Sequence, residues 1–240
     1  MKKYFEKIYL KGMDSFEKEM YNALIHEEKR FVITANPETL MIGQNDKEFD
    51  RVLKSKSSTI VPDGIGVVKA ARLLGYNVKE RVTGVELSKK LLEYADKEQK
   101  SIFLFGAKEM VLQLLVKKIR QEYPGIKIAG TENGYVENKE EVMDQIISKN
   151  PDIVLVALGI PQQELLIARH LKDAKKGIFV GVGGSFDVLS GLKQRAPKIF
   201  IKMNLEWLYR IAKEPKRIKR FVKSNVIFVT KVIKIKLTKH

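Results

Sequence analysis

The 240-residue chain has no cysteine. That removes disulfides, thiolate metal ligands and a thiol nucleophile at once, and it agrees with a cytoplasmic setting. Histidine is nearly as scarce: His26 and His170 fall in helical patterns and His240 is terminal. Neither a metal cluster nor a Ser-His-Asp set can be assembled from them. An Asp-x-Asp pair, the usual short signature for holding a metal–diphosphate, is also missing. Any diphosphate must then be met by Arg, Lys or backbone N–H groups. No apolar run is long enough to span a bilayer, and the Met-Lys-Lys start lacks the apolar stretch of a signal peptide. Repeats, low-complexity blocks and Pro/Gly-rich linkers are absent as well.

Acidic residues are what the last fifth of the chain lacks. Residues 196–240 hold 13 Lys and Arg against 2 Asp and Glu, which is +11 of the net +16. Such asymmetry calls for a polyanionic partner, either nucleic acid or an anionic membrane. The charge is confined to the tail and no nucleic-acid motif accompanies it, so the expected partner is the membrane surface rather than nucleic acid.

Hydrophobic residues make up 44% of the chain, enough for a sizeable core. They fall into short β-branched runs separated by longer amphipathic ones. Strands are predicted at Phe31–Thr34, Ser58–Val61, Ile102–Phe105, Ile126–Ala129, Ile153–Ala157 and Ile178–Val182. Helices are predicted at about 67–74, 108–123, 139–149 and 162–172. Near-continuous apolar strands alternating with helices indicate buried parallel strands. The fold class is α/β: a doubly wound, mainly parallel, Rossmann-like sheet. After about Ala196 a helix is expected over Ile199–Ala212, then amphipathic helix from Lys216 onward. That helix would gather Phe221, Ile227, Phe228 and Val232 largely on one side, as a face for the membrane interface. The expected organisation is a core over 1–195 and a basic helical appendage over 196–240.

In such sheets ligands bind beyond the carboxyl ends of the strands, so the residues just after each strand matter most. Thr34 and Asn36 follow the first strand; they can face a ligand or serve a turn and helix cap. Asp63, in Pro62-Asp63-Gly64, is placed for a general base or for an N-cap. Gln163 and Glu164 open a helix and can read the edge of a base or sugar, or cap it. The Gly181–Asp187 loop, with Gly183, Gly184 and Asp187, suits phosphate or nucleotide contact or tight packing. It is not the dinucleotide fingerprint, whose glycines belong in the first βα turn. A nucleotide-cofactor oxidoreductase is disfavoured for that reason.

Ten segments in order resemble one family. They are ITANPE, VPDGIG, ERVTG, LFGA, ENGY, ALGIPQQE, GVGGSFDVLSG, RAP, EWLYR and EPKRIKR, spanning about Phe31 to Arg220. Together they are similar to the WecG/TagA/CpsF glycosyltransferases, with Gln162 as a departure where a basic residue is more usual. The resemblance implies a metal-independent, inverting transfer of a sugar from a UDP-sugar to an undecaprenyl-diphosphate-linked saccharide. N-acetylmannosamine for wall teichoic acid is the leading donor sugar, with glucose or N-acetylmannosaminuronic acid as alternatives. It implies Asp63 as base beside Thr34, with Asn36 near the sugar. It makes Arg81, Gly134, Tyr135, Gln163, Glu164, Gly184 and Asp187 candidates for substrate contact. It implies that Arg210, Arg217 and Arg220 of the appendage meet diphosphate, Arg217 and Arg220 sharing a face at i, i+3. It implies no cofactor, a catalytic core completed by an appendage at the inner face of the cell membrane, and a dimer in solution that acts there as a monomer.

Overall fold

The computed structural model describes residues 1–213 and 217–238, with side chains throughout except at 198, 202, 210, 217, 219, 220, 221 and 223. Six strands form one sheet: β1 (Lys29–Ala35), β2 (Thr59–Pro62), β3 (Ser101–Gly106), β4 (Lys127–Glu132), β5 (Ile153–Ala157) and β6 (Gly177–Gly181). Their order is β2-β1-β6-β5-β3-β4 and every pairing is parallel. All six coincide with predicted runs. The alternation of side chains sorts each strand between two layers. In β1, Phe31, Ile33 and Ala35 enter one core cluster and Val32 the other.

One layer holds α1 (Lys2–Phe5), α3 (Pro37–Asn45), α4 (Lys47–Lys54), α5 (Ile65–Leu73), α8 (Lys139–Lys149), α9 (Gln162–His170) and α13 (Arg217–Leu237). The other holds α2 (Met13–Ile25), α6 (Gly84–Lys97), α7 (Glu109–Glu122) and α10 (Ser185–Leu189). Helices on both faces of a parallel sheet make the fold doubly wound. One glycine contact sets the spacing of β3 and β5. A Cβ on Gly106 would meet the Ala157 carbonyl oxygen at 2.4 Å, and its φ of +123° disfavours any other residue.

The C-terminal segment differs from expectation in two ways. The predicted helix over 199–212 is two, α11 (Lys198–Lys202) and α12 (Glu206–Lys213), parted at Asn204 with φ +59°. Asn tolerates that left-handed turn, which ends a helix. Second, Phe228 and Val232 do not face outward. Both are buried in the core, where α13 packs on α3 and α5 and the Phe228 ring lies 6.3 Å from Phe5. Burying two such side chains contributes about 1.5–3 kcal/mol each. The side chain of Phe221 lies outside the described residues. What α13 exposes instead is a second stripe: Ile218, Val222, Val226, Val229, Ile233 and Leu237. Those positions repeat at helical spacing. Among the described residues, no helix is long and apolar enough to cross a membrane.

Candidate active site

The carboxyl ends of β2, β1, β6 and β5 lie side by side and bring the loop residues together. Thr34 is buried at the end of β1, and its Oγ1 donates to the Gly181 carbonyl at 2.9 Å. That bond ties the β1 and β6 ends. Asn36 is the N-cap of α3: its Oδ1 accepts from Thr39 N at 3.0 Å, and Thr39 Oγ1 accepts from Asn36 N at 3.1 Å. The capping role is realised there, while the Asn36 amide NH2 takes no part in those bonds.

Asp63 fares the other way. The N-cap of α5 is Gly64, and no side chain caps that helix. Asp63 is held by its backbone, N–H to the Ala35 carbonyl at 2.9 Å, at the end of β2 and next to the β1 loop. The first turns of α3 and α5 touch: a Cβ on Gly66 would meet Pro37 at 3.0 Å. The same position would lie 3.8 Å from Oδ1 of Asn225, so α13 reaches the Asp63 end of the sheet. Sequence reading did not single out Asn225, because only the packing of α13 brings it there.

Gln163 and Glu164 are fully buried. Gln163 Oε1 accepts from Gly159 N at 3.2 Å and Gly183 N at 3.1 Å, joining the loops after β5 and β6. Its Nε2 donates to Glu164 Oε1 at 2.6 Å. Burial pushes the Glu164 carboxyl up to about 7, against the pull of the Gln163 hydrogen bond. Gly184 is exposed at the start of α10, and Asp187 sits 3.5 Å from Lys193. On the β3–β4 side, Gly134 donates its N–H to Ala107 at 2.9 Å, and Tyr135 is 72% exposed on the turn beside it.

Arg81 lies in a relay that joins the core to α11 and α12. It approaches Glu206 Oε2 at 3.4 Å and the Ile201 carbonyl at 3.4 Å. Glu206 Oε1 is 3.8 Å from Arg195 Nε, and Arg195 NH2 donates to Glu86 at 2.7 Å. Burial works against the charge on Glu86, but hydrogen bonds from Arg195 and Thr83 outweigh it and hold its pKa below the usual carboxylate range. Arg195 and Glu206 stood in the RAP and EWLYR segments without an assigned role, and pairing over such sequence distances leaves no local signal. The side chains of Arg210, Arg217 and Arg220 lie outside the described residues. Among the described residues, no three His, Asp or Glu side chains gather as a metal would require.

The sequence from residue 7 to 240 matches the family described as the Glycosyl transferase WecG/TagA/CpsF family. The chain belongs to that family. Similar proteins include an N-acetylglucosaminyldiphosphoundecaprenol N-acetyl-beta-D-mannosaminyltransferase of Bacillus subtilis strain 168. It is 46% identical over 191 residues, covering 80% of this chain and 74% of that one. A Bacillus spizizenii protein of the same name is 41% identical over 204 residues, 85% and 79% of the two chains. A third, from Staphylococcus aureus strain MW2, is 37% identical over 207 residues, 86% and 80%. The chain is a glycosyltransferase.

Proposed function

We propose that this transferase moves N-acetylmannosamine from a UDP-linked donor to an undecaprenyl-diphosphate-linked N-acetylglucosamine, a step in wall teichoic acid synthesis. The observation that carries this reading is the shared name of relatives 37–46% identical along four fifths of the chain or more. The site chemistry suits it. Asp63 stands at the end of β2 beside the β1 loop, where a base for the acceptor hydroxyl would stand. As that proton leaves, the acceptor oxygen attacks the anomeric carbon and UDP departs from the opposite face, so the configuration inverts. Charge growing on the leaving diphosphate is met by protein donors, with Arg210, Arg217 and Arg220 proposed for that work and no metal required.

The lipid-linked acceptor places the reaction at a membrane. We assign the exposed stripe of α13, with the basic residues of the same segment, to an anionic bilayer at the inner face of the cell membrane. A panel of UDP-sugars assayed with a lipid-linked N-acetylglucosamine acceptor, reading UDP release, tests the reaction. UDP-N-acetylmannosamine should lead by at least about tenfold in kcat/KM, a margin of about 1.4 kcal/mol. Equal or faster release from UDP-glucose or UDP-N-acetylmannosaminuronic acid would reassign the donor.

A further inference from the structure

Glu164 is the most buried acidic group near the strand ends, and its surroundings are unusual for a carboxylate. Its side chain is 0% exposed, and Oε2 has no hydrogen-bond partner among the described residues. Among the described residues no cation pairs with it. The basic residues of α9 itself are engaged with acids of α4 and α8 instead. Arg169 pairs with Glu48 and Glu140 at 2.9 Å, and His170 lies 3.3 Å from Glu140 and 3.4 Å from Asp144. Both basic residues sit at the opposite end of α9 from Glu164, and β6, on its other side, carries no charge over Gly177–Gly181.

What Glu164 does touch is the Gln163 amide. Gln163 has one geometry that satisfies its oxygen, facing the Gly159 and Gly183 N–H groups, and in that geometry its nitrogen must find an acceptor. Glu164 Oε1 is that acceptor. The pair also occupies the space beside Gly181, where a Cβ would meet Gln163 Nε2 at 2.7 Å and Glu164 Oε1 at 2.9 Å. Gly181 is in turn the residue whose carbonyl holds Thr34.

We propose that Glu164 is a positioning residue: by fixing the orientation of the Gln163 amide it locks the loops after β5 and β6 in register with the end of β1. It need not touch substrate. A neutral carboxyl or an amide serves the purpose, because only an acceptor oxygen is required. Ionisation puts an uncompensated charge in an apolar place and drives the side chain toward water, which frees Gln163. Glu164 therefore makes the site geometry sensitive to pH near neutrality.

The test compares wild type, Glu164→Gln and Glu164→Ala by amide hydrogen exchange and by transfer kinetics from pH 6 to 8.5. In Glu164→Ala, protection of the Gly159 and Gly183 amides should fall about tenfold while the β-strand amides stay protected, the size expected for one lost hydrogen bond. Glu164→Gln should keep that protection at every pH, whereas wild type should lose it above about pH 7. The donor KM should rise in Glu164→Ala and return in Glu164→Gln. That kinetic arm rests on the transferase reading above; the exchange arm does not, so the two fail separately. Unchanged Gly159 and Gly183 protection in Glu164→Ala would overturn the proposal. So would a Glu164→Gln protein as impaired as Glu164→Ala, since the carboxylate charge would then be what matters. If Glu164→Ala does not fold, the wild-type and Glu164→Gln protection profiles decide alone: the same loss above pH 7 in both would overturn it.

Discussion

Among single residues, Asp63 carries the sharpest expectation. A base that takes the acceptor proton in the transition state contributes about 10²–10⁴-fold in rate. Asp63→Asn should lose turnover on that scale yet retain its melting temperature and its UDP affinity by calorimetry. A change of only a few-fold would remove Asp63 from the chemistry. Glu164 makes a stability prediction as well. Its pKa is raised in the folded protein to about 7, so the neutral form is favoured by folding. Stability is then complete below the ordinary carboxylate pKa and declines as pH rises through about 7, by on the order of 3 kcal/mol at most. Urea melts at pH 5 and pH 8 should show that decline in wild type and not in Glu164→Gln. The positions of both acids were legible in the sequence because they follow β-branched runs. Their environments were not: whether a strand-end polar residue caps a helix, as Asn36 does, or the cap falls to a glycine, as it does after Asp63, depends on tertiary placement of the loop.

At the scale of elements, all six strands were legible because parallel strands covered on both faces read as continuous Val, Ile, Leu and Phe. The helices over 13–25 and 84–97 were not picked out, since their apolar residues are spaced among Lys and Glu, although Thr83 with Glu86 three residues on marks the start of the second. The faces of α13 were assigned the wrong way round for Phe228 and Val232. Periodicity says which residues share a side, but a helix with two apolar stripes does not say which stripe meets the core. The two stripes now make opposite predictions. Phe228→Ala should cost about 3–5 kcal/mol in a denaturant melt, the usual range for a buried Phe. Val226→Glu with Val229→Glu should leave that melt within about 0.5 kcal/mol per site. The same pair should abolish the salt-resistant part of binding to anionic vesicles in a sedimentation assay. Unimpaired sedimentation of the double variant would move the docking surface elsewhere.

For the whole molecule, the proposed independence from metal has a direct check. Transfer should persist in excess EDTA, and an activity lost to chelator and restored by Mg²⁺ or Mn²⁺ would refute it. The relay from Glu86 through Arg195 and Glu206 to Arg81 is also a whole-molecule feature, because it fastens α12 to the loop before α6. It could not be read from sequence: Arg81 and Glu206 are 125 residues apart.

Because α13 has one side seated in the core and the other open, adsorption and folding share a free-energy cycle. A surface that binds the helix while Phe228 stays beside Phe5 binds only the native state, and such a ligand stabilises by mass action. Vesicles would then raise the melting temperature in proportion to the logarithm of lipid concentration. A bilayer that instead draws Phe228 and Val232 out of their seats competes with the core and lowers it. The sign of one calorimetric shift therefore distinguishes a helix that lies down on the membrane in place from one that swings out to reach it.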